Sequence, residues 1–173
     1  MLRLVVLAVA CTLPLLAQSP NYHVGRAATA NEIARRDISI APDGKGLPAG
    51  EGTAAEGAVI FENRCRECHG PKGEGADEAG FIGKPSDLLG DSPTKSVGSY
   101  WPLATTLWDY INRAMPFDRP GELSDDQVYS VVAYILHLNR IVGENDKLNA
   151  ETLPAIKMPN RDGFISDPRP DAP

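Results

Sequence analysis

The sequence predicts an all-α domain over residues 53–140, bordered by irregular segments. Two helix-start signatures carry that prediction. Thr53 and Glu56 form a T-x-x-E capping box ahead of Gly57, Ala58 and Phe61; Ser124 and Gln127 form another ahead of Val128, Val131, Val132, Ile135 and Leu136 at helical spacing. The third observation is compositional: 16 glycines and 15 prolines in 173 residues leave much of the remaining chain as loop. With 42% hydrophobic and 23% charged residues the chain is globular in class, and its length suits one domain with extensions.

Residues 1–17 read as a secretory signal peptide. Arg3 precedes an apolar run, Leu4 to Ala10 and Leu13 to Ala17, and small and polar residues follow. The run is too short, and too soon followed by polar sequence, to make a good membrane span. A lipoprotein signal ending at Cys11 is the rival reading, but it would cut the apolar region in its middle. Export implies a periplasmic location. If Cys11 leaves with the signal, two cysteines remain, and 16 basic residues face 23 acidic ones, a net charge of −7. An acidic surface argues against nucleic acid and anionic lipid; it suits steering toward a basic partner patch as well as it suits plain solubility.

Residues 18–52 form an arm with little sustained periodicity. Asn31 to Asp37 suits a short helical turn, and Ala41 to Pro48 is a turn-rich connector. Ile33, Ile38, Ile40 and Leu47 are apolar anchors that a free tail would not need, so the arm is expected to wrap the central domain or a partner. The first helix of the domain then runs from Thr53 to about Arg64. A glycine on its packed face costs stability, so Gly57 marks the close approach of another helix. The expected contact sets Gly57 and Phe61 against the Tyr134 region of the last helix.

Directly after the first helix stand Cys65, Arg66, Glu67, Cys68 and His69. In C-x-x-C-H two thiols add to the vinyl groups of haem, and the adjoining imidazole binds the iron. The spacing lets both sulfurs meet one porphyrin edge and brings the histidine under the metal. A bare C-x-x-C also serves thiol redox work and half of many zinc sites, but no second cysteine pair follows here. One covalent haem c is expected, held by Cys65 and Cys68 with His69 as the proximal ligand, and its attachment outside the bacterial cytoplasm agrees with export.

The loop Gly70 to Gly75 must pass close to the porphyrin, where bulky side chains would collide. In the loop Phe81 to Asp91, Pro85 is a candidate for the carbonyl that accepts the proton on the far nitrogen of His69; a plain turn proline is the alternative. Gly98 to Pro102 leads into a helix from about Leu103 to Ala114. Tyr100 and Trp101 there line the pocket, bond a propionate, or are simply core. The tail, residues 141–173, has five prolines from Asn149 onward and should be irregular or partly extended.

An electron carrier keeps two axial ligands so that its coordination shell, and hence its reorganisation, changes little. With Met1 removed, the candidates for the sixth ligand are Met115, Met158, His23 and His137. Met115 is favoured: it ends one helix just before the capped last helix, and Pro116 stiffens the loop that would present its thioether. A lone methionine is more often core filler. Met158, also followed by proline, is the serious alternative, but it sits in a tail where placement would be poorly supported. His137 reads as a partly exposed helix histidine, and nothing positions His23.

The order helix, C-x-x-C-H, loops, helix, Met-Pro, helix resembles a class I cytochrome c over about residues 53–140. Gly44 to Pro48, Gly98 to Pro102, Met115 to Phe117 and Met158 to Phe164 are similar to the cytochrome c subunits of sulfite dehydrogenases and of the Sox sulfur dehydrogenase. That resemblance implies Cys65 and Cys68 as attachment points and His69 and Met115 as iron ligands. It further implies a non-catalytic subunit, taking electrons singly from a molybdenum-containing oxidoreductase subunit and passing them to an acceptor such as a cytochrome c or an oxidase. Sox cytochrome subunits can carry a second haem domain, whereas this chain has one motif. The arm and the tail are then expected to dock on the catalytic subunit.

Overall fold

The computed structural model describes residues 24–166, 168 and 169; the predicted signal peptide with Cys11, and His23, lie outside the described residues. The chain divides into two compact units, Met1–Asp37 and Ile38–Pro173. In the first, α1 spans Ala30–Arg36, where a short helical turn is expected from sequence. A capping box of Thr29 and Glu32 starts it. The Arg26 guanidinium, 2.5 Å away, together with the Thr29 donors, holds the Glu32 carboxyl down at about 2. No residue of α1 is buried.

The second unit holds β1 (Glu51–Gly52), α2 (Ala54–Arg64), α3 (Arg66–His69), a 3-10 turn (Pro85–Leu88), α4 (Ala104–Ala114), α5 (Asp125–Leu138) and β2 (Leu148–Asn149). Its regular structure is helical apart from the two short strands, which pair antiparallel with Gly52 opposite Leu148. Both expected capping boxes form. Thr53 accepts from the Glu56 N–H while its own N–H donates to the Glu56 carboxylate at 2.8 Å, and Ser124 and Gln127 repeat the exchange on α5. Each such cap is worth about 1 kcal/mol, which matters for an eleven-residue helix such as α2.

The first and last helices of this unit cross where the glycine predicts. A Cβ on Gly57 would overlap the Ser130 carbonyl oxygen and lie 2.8 Å from Tyr134 Cβ. One helix turn on, the Phe61 ring meets Tyr134 at 5.2 Å between centroids. Phe61 is 1% exposed, and burying a side chain of that size stabilises by about 1.5–3 kcal/mol. Val128, Val132 and Leu136 on α5 and Leu107, Trp108 and Ile111 on α4 complete the centre of the core.

Residues 38–52 wrap this unit. The Ile40 N–H donates to Asp109 Oδ1 at 3.2 Å, the Tyr129 hydroxyl donates to the Pro48 carbonyl at 3.0 Å, and Ile40 and Leu47 pack on the core. The tail is irregular, as its prolines predict, but it is not loosely held. Leu148, Leu153 and Met158 are buried, and Asn160 Nδ2 donates to the Tyr100 carbonyl at 2.8 Å. This corrects the expectation that residue 158 would be poorly supported. Apolar residues spaced along an irregular chain join the core one at a time, and such packing leaves no periodic trace in sequence. It also means that these apolar residues are used within the chain and are not free for a partner. Among the described residues, no helix is long and apolar enough to cross a membrane.

Candidate haem-binding site

The site begins where α2 stops. The Cys65 N–H donates to the Phe61 carbonyl at 2.9 Å, and the backbone then leaves helical geometry at Cys65 before α3 carries Cys68 and His69. Neither Cys65 nor Cys68 is in a disulfide; Cys65 is half-buried and Cys68 exposed. Burial, with a smaller contribution from the Cys68 sulfur, pushes the Cys65 thiol up to about 11. These sulfurs stand for thioether sulfurs in a haem-loaded chain, so that shift belongs to the protein before attachment.

After His69 the chain turns back on itself. The Gly75 N–H donates to the His69 carbonyl at 2.9 Å and the Glu78 N–H to the Cys68 carbonyl at 3.0 Å. Gly70, Gly73 and Gly75 all take positive φ, the conformations that glycine adopts without strain. A Cβ on Gly80 would overlap the Glu74 carbonyl, so the returning strand lies directly on the outgoing one. This reversal delivers the Ala79 carbonyl oxygen to 3.1 Å from His69 Nδ1. The partner of His69 is therefore Ala79 and not Pro85, which instead opens the 3-10 turn. With Nδ1–H donating to that carbonyl, Nε2 is the nitrogen left with a lone pair for a metal.

Phe81 supports the same ring from the side, at 4.3 Å between centroids, and stands edge-on to Phe61 at 6.1 Å. The helix crossing, Tyr134, Phe61 and Phe81 thus form one packed series that ends on His69. Phe81 attracts notice in sequence only as a loop boundary. The loop it opens is fastened by the Phe81 carbonyl, which accepts from Gly98 N–H at 3.3 Å, and by Asn139 Oδ1, which accepts from Gly83 N–H at 3.1 Å.

Met115 is the C-cap of α4; its N–H donates to the Ile111 carbonyl at 3.0 Å, and its half-buried side chain lies against the core. Met158 is 1% exposed, enclosed within the core. His137 is half-buried, with Nδ1 3.2 Å from the Val142 carbonyl. Trp101 is half-buried and edge-on to Tyr110, while Tyr100 lies against Phe164 and under Lys95.

These residues fit a covalently attached haem. Two unpaired sulfurs three positions apart adjoin an imidazole whose far nitrogen is engaged, and Cys65, Phe81, Trp101 and Met115 are each partly buried against the core. The family model for cytochrome c matches residues 54–139. A chain in the crystal structure of the sulfane dehydrogenase SoxCD from Paracoccus pantotrophus superposes with a TM-score of 0.78 at 36% identity, covering 87% of this chain and 75% of that one. Thiosulfate dehydrogenase of Psychrobacter arcticus is 29% identical over 113 residues, 62% of this chain and 34% of that protein. Thiosulfate dehydrogenase of Stutzerimonas stutzeri is 31% identical over 88 residues, 51% of this chain and 28% of that protein. The chain spans about a third of the length of these curated relatives. The attachment motif at the helix end, the matching family model and the likeness to a solved homologue over most of both chains agree: this chain belongs to the cytochrome c family, as an electron-transfer protein with covalent haem c.

Proposed function

We propose that this chain is a periplasmic, single-haem subunit or partner of a sulfur-compound dehydrogenase. It takes electrons one at a time from a molybdenum-containing catalytic chain and passes them to a downstream acceptor. Cys65 and Cys68 attach the haem, while His69 and Met115 ligate the iron. The haem supplies a one-electron ferric–ferrous couple. The protein supplies the hydrogen bond from His69 to Ala79, which fixes the ring and raises its basicity, and a thioether, which favours the ferrous state. Met115 is preferred to Met158 because a ligand must be able to face the cofactor, and Met115 is partly buried at the edge of the core whereas Met158 is enclosed within it.

The observation that carries the sulfur assignment is the extent of the likeness to the sulfane dehydrogenase chain. It covers 87% of this chain, well beyond residues 54–139, so it is not a likeness of haem domains alone. The test is reduction of the purified ferric holoprotein by a molybdenum-containing sulfur dehydrogenase chain from the same organism, with sulfite or another sulfur substrate, together with co-purification of the two chains. The absence of both reduction and co-purification would remove the assignment.

The two thiosulfate dehydrogenases favour a second reading, in which the haem chain itself oxidises a sulfur compound. Under that reading, thiosulfate reduces the isolated protein with no other chain present. Under the first it does not.

A further inference from the structure

We infer that Arg64 and Glu122 are positioning residues that fasten the Met115 loop to the haem-attachment segment; this rests on the reading of Met115 as an iron ligand. Arg64 ends α2 and directly precedes Cys65, while Glu122 lies between α4 and α5, seven positions after Met115. Their side chains meet at two points: Arg64 Nη2 is 3.2 Å from Glu122 Oε1, and Nη1 is 3.4 Å from Oε2. Arg119 joins from within the loop, its Nε 3.3 Å from Glu122 Oε2 and 3.2 Å from Asp118 Oδ2. One carboxylate therefore links a guanidinium beside the attachment motif to another inside the loop.

The loop has little else at its middle. Its backbone closes through Arg119 N–H to the Pro116 carbonyl at 2.9 Å and a long bond from Glu122 N–H to the Arg119 carbonyl at 3.4 Å, and Gly121 takes a φ of +77°. Helices anchor its two ends, at Met115 by the last turn of α4 and at Ser124 by the cap of α5. The charged pair is what ties the intervening chain across to residue 64. Arg64 and Glu122 are 36% and 38% exposed, so water screens the pair and its effect is modest. A modest effect is still readable, because ligand binding at a vacated position reports a few-fold change in the open population.

The test uses ferric holoprotein titrated with imidazole, which occupies the sixth position when Met115 has left it. The apparent dissociation constant falls in proportion as the open population rises. Glu122→Gln and Arg64→Gln should each lower it about two- to fivefold, the range expected for a partly exposed ion pair. The double variant Arg64→Gln with Glu122→Gln should lower it no further than Glu122→Gln alone, because that single change already breaks the pair. Asp118→Asn, whose carboxylate pairs with Arg119, should leave it unchanged. Amide hydrogen exchange should quicken in residues 117–123 of the single variants and stay unchanged in α2 and α5. Wild-type imidazole affinity and wild-type loop exchange in Glu122→Gln overturn the inference. So does an equal quickening throughout α2 and α5, which would mean general loosening. Met115→Ala separates this from the ligation reading: if that variant keeps the long-wavelength ferric band of methionine-bound haem, ligation by Met115 is wrong, and loop exchange alone then decides whether the pair holds the loop.

Discussion

The backbone carbonyl of Ser130 occupies the space that a Cβ on Gly57 would need. The two helices meet backbone to backbone at this point, and the aromatic series that ends on His69 starts one turn further along α2.

Gly57→Ala should therefore destabilise the protein even though alanine is the better helix former. The added methyl group must push α5 away and unseat Phe61 from Tyr134, with a net loss of about 1–3 kcal/mol. A urea titration should show a lower midpoint at unchanged slope. An unchanged midpoint would mean that the crossing has slack absent from the structure.

Met115→Leu and Met158→Leu should part company. The first should remove the methionine-to-iron band and lower the reduction potential, because the thioether that favours ferrous iron is gone. The second replaces one enclosed apolar side chain by another of similar volume, costs less than about 1.5 kcal/mol, and should keep the band. The reverse pattern would exchange the roles of the two residues.

Acid should weaken α2 through Glu56. Hydrogen bonds from the Thr53 hydroxyl and the Thr53 N–H hold the Glu56 carboxyl below the usual carboxylate range. A depressed folded-state pKa gives stability that is present above the unfolded value of about 4.3 and is lost as pH falls through the folded value. Glu56→Gln keeps an acceptor oxygen without the titration. Wild type should lose its advantage over this variant as pH falls through the acid range, read as converging urea midpoints. Parallel curves would show that the cap does not contribute through the charged form.

Asn160→Ala should loosen the end of the tail. It removes the bond to the Tyr100 carbonyl, worth about 0.5–1.5 kcal/mol, and with it the contact that keeps Phe164 near Tyr100. Amide exchange should quicken for residues 160–164 while Leu153 stays protected. Unchanged exchange would show that the tail is held elsewhere.

The local features were legible in the sequence because their causes are local. Thr53 with Glu56 and Ser124 with Gln127 are capping boxes closed over three residues, and each starts a helix where it stands. C-x-x-C-H requires one spacing for one chemistry. Gly57 was legible for a different reason: a glycine on an apolar helix face has little use except close approach.

Tertiary structure decided the rest. That the proton acceptor for His69 is Ala79 depends on a chain reversal, and a backbone carbonyl has no side chain to announce it, so the sequence points to Pro85 instead. The burial of Leu153 and Met158 depends on a core formed with other elements, which an irregular segment joins without a repeat. The pairing of Arg64 with Glu122 joins residues 58 positions apart, and charges so distant in sequence say nothing about each other until helices α2 and α5 cross. Short-range hydrogen bonds and covalent chemistry are written residue by residue. Long-range contacts are fixed by packing, which many sequences satisfy and only the folded chain displays.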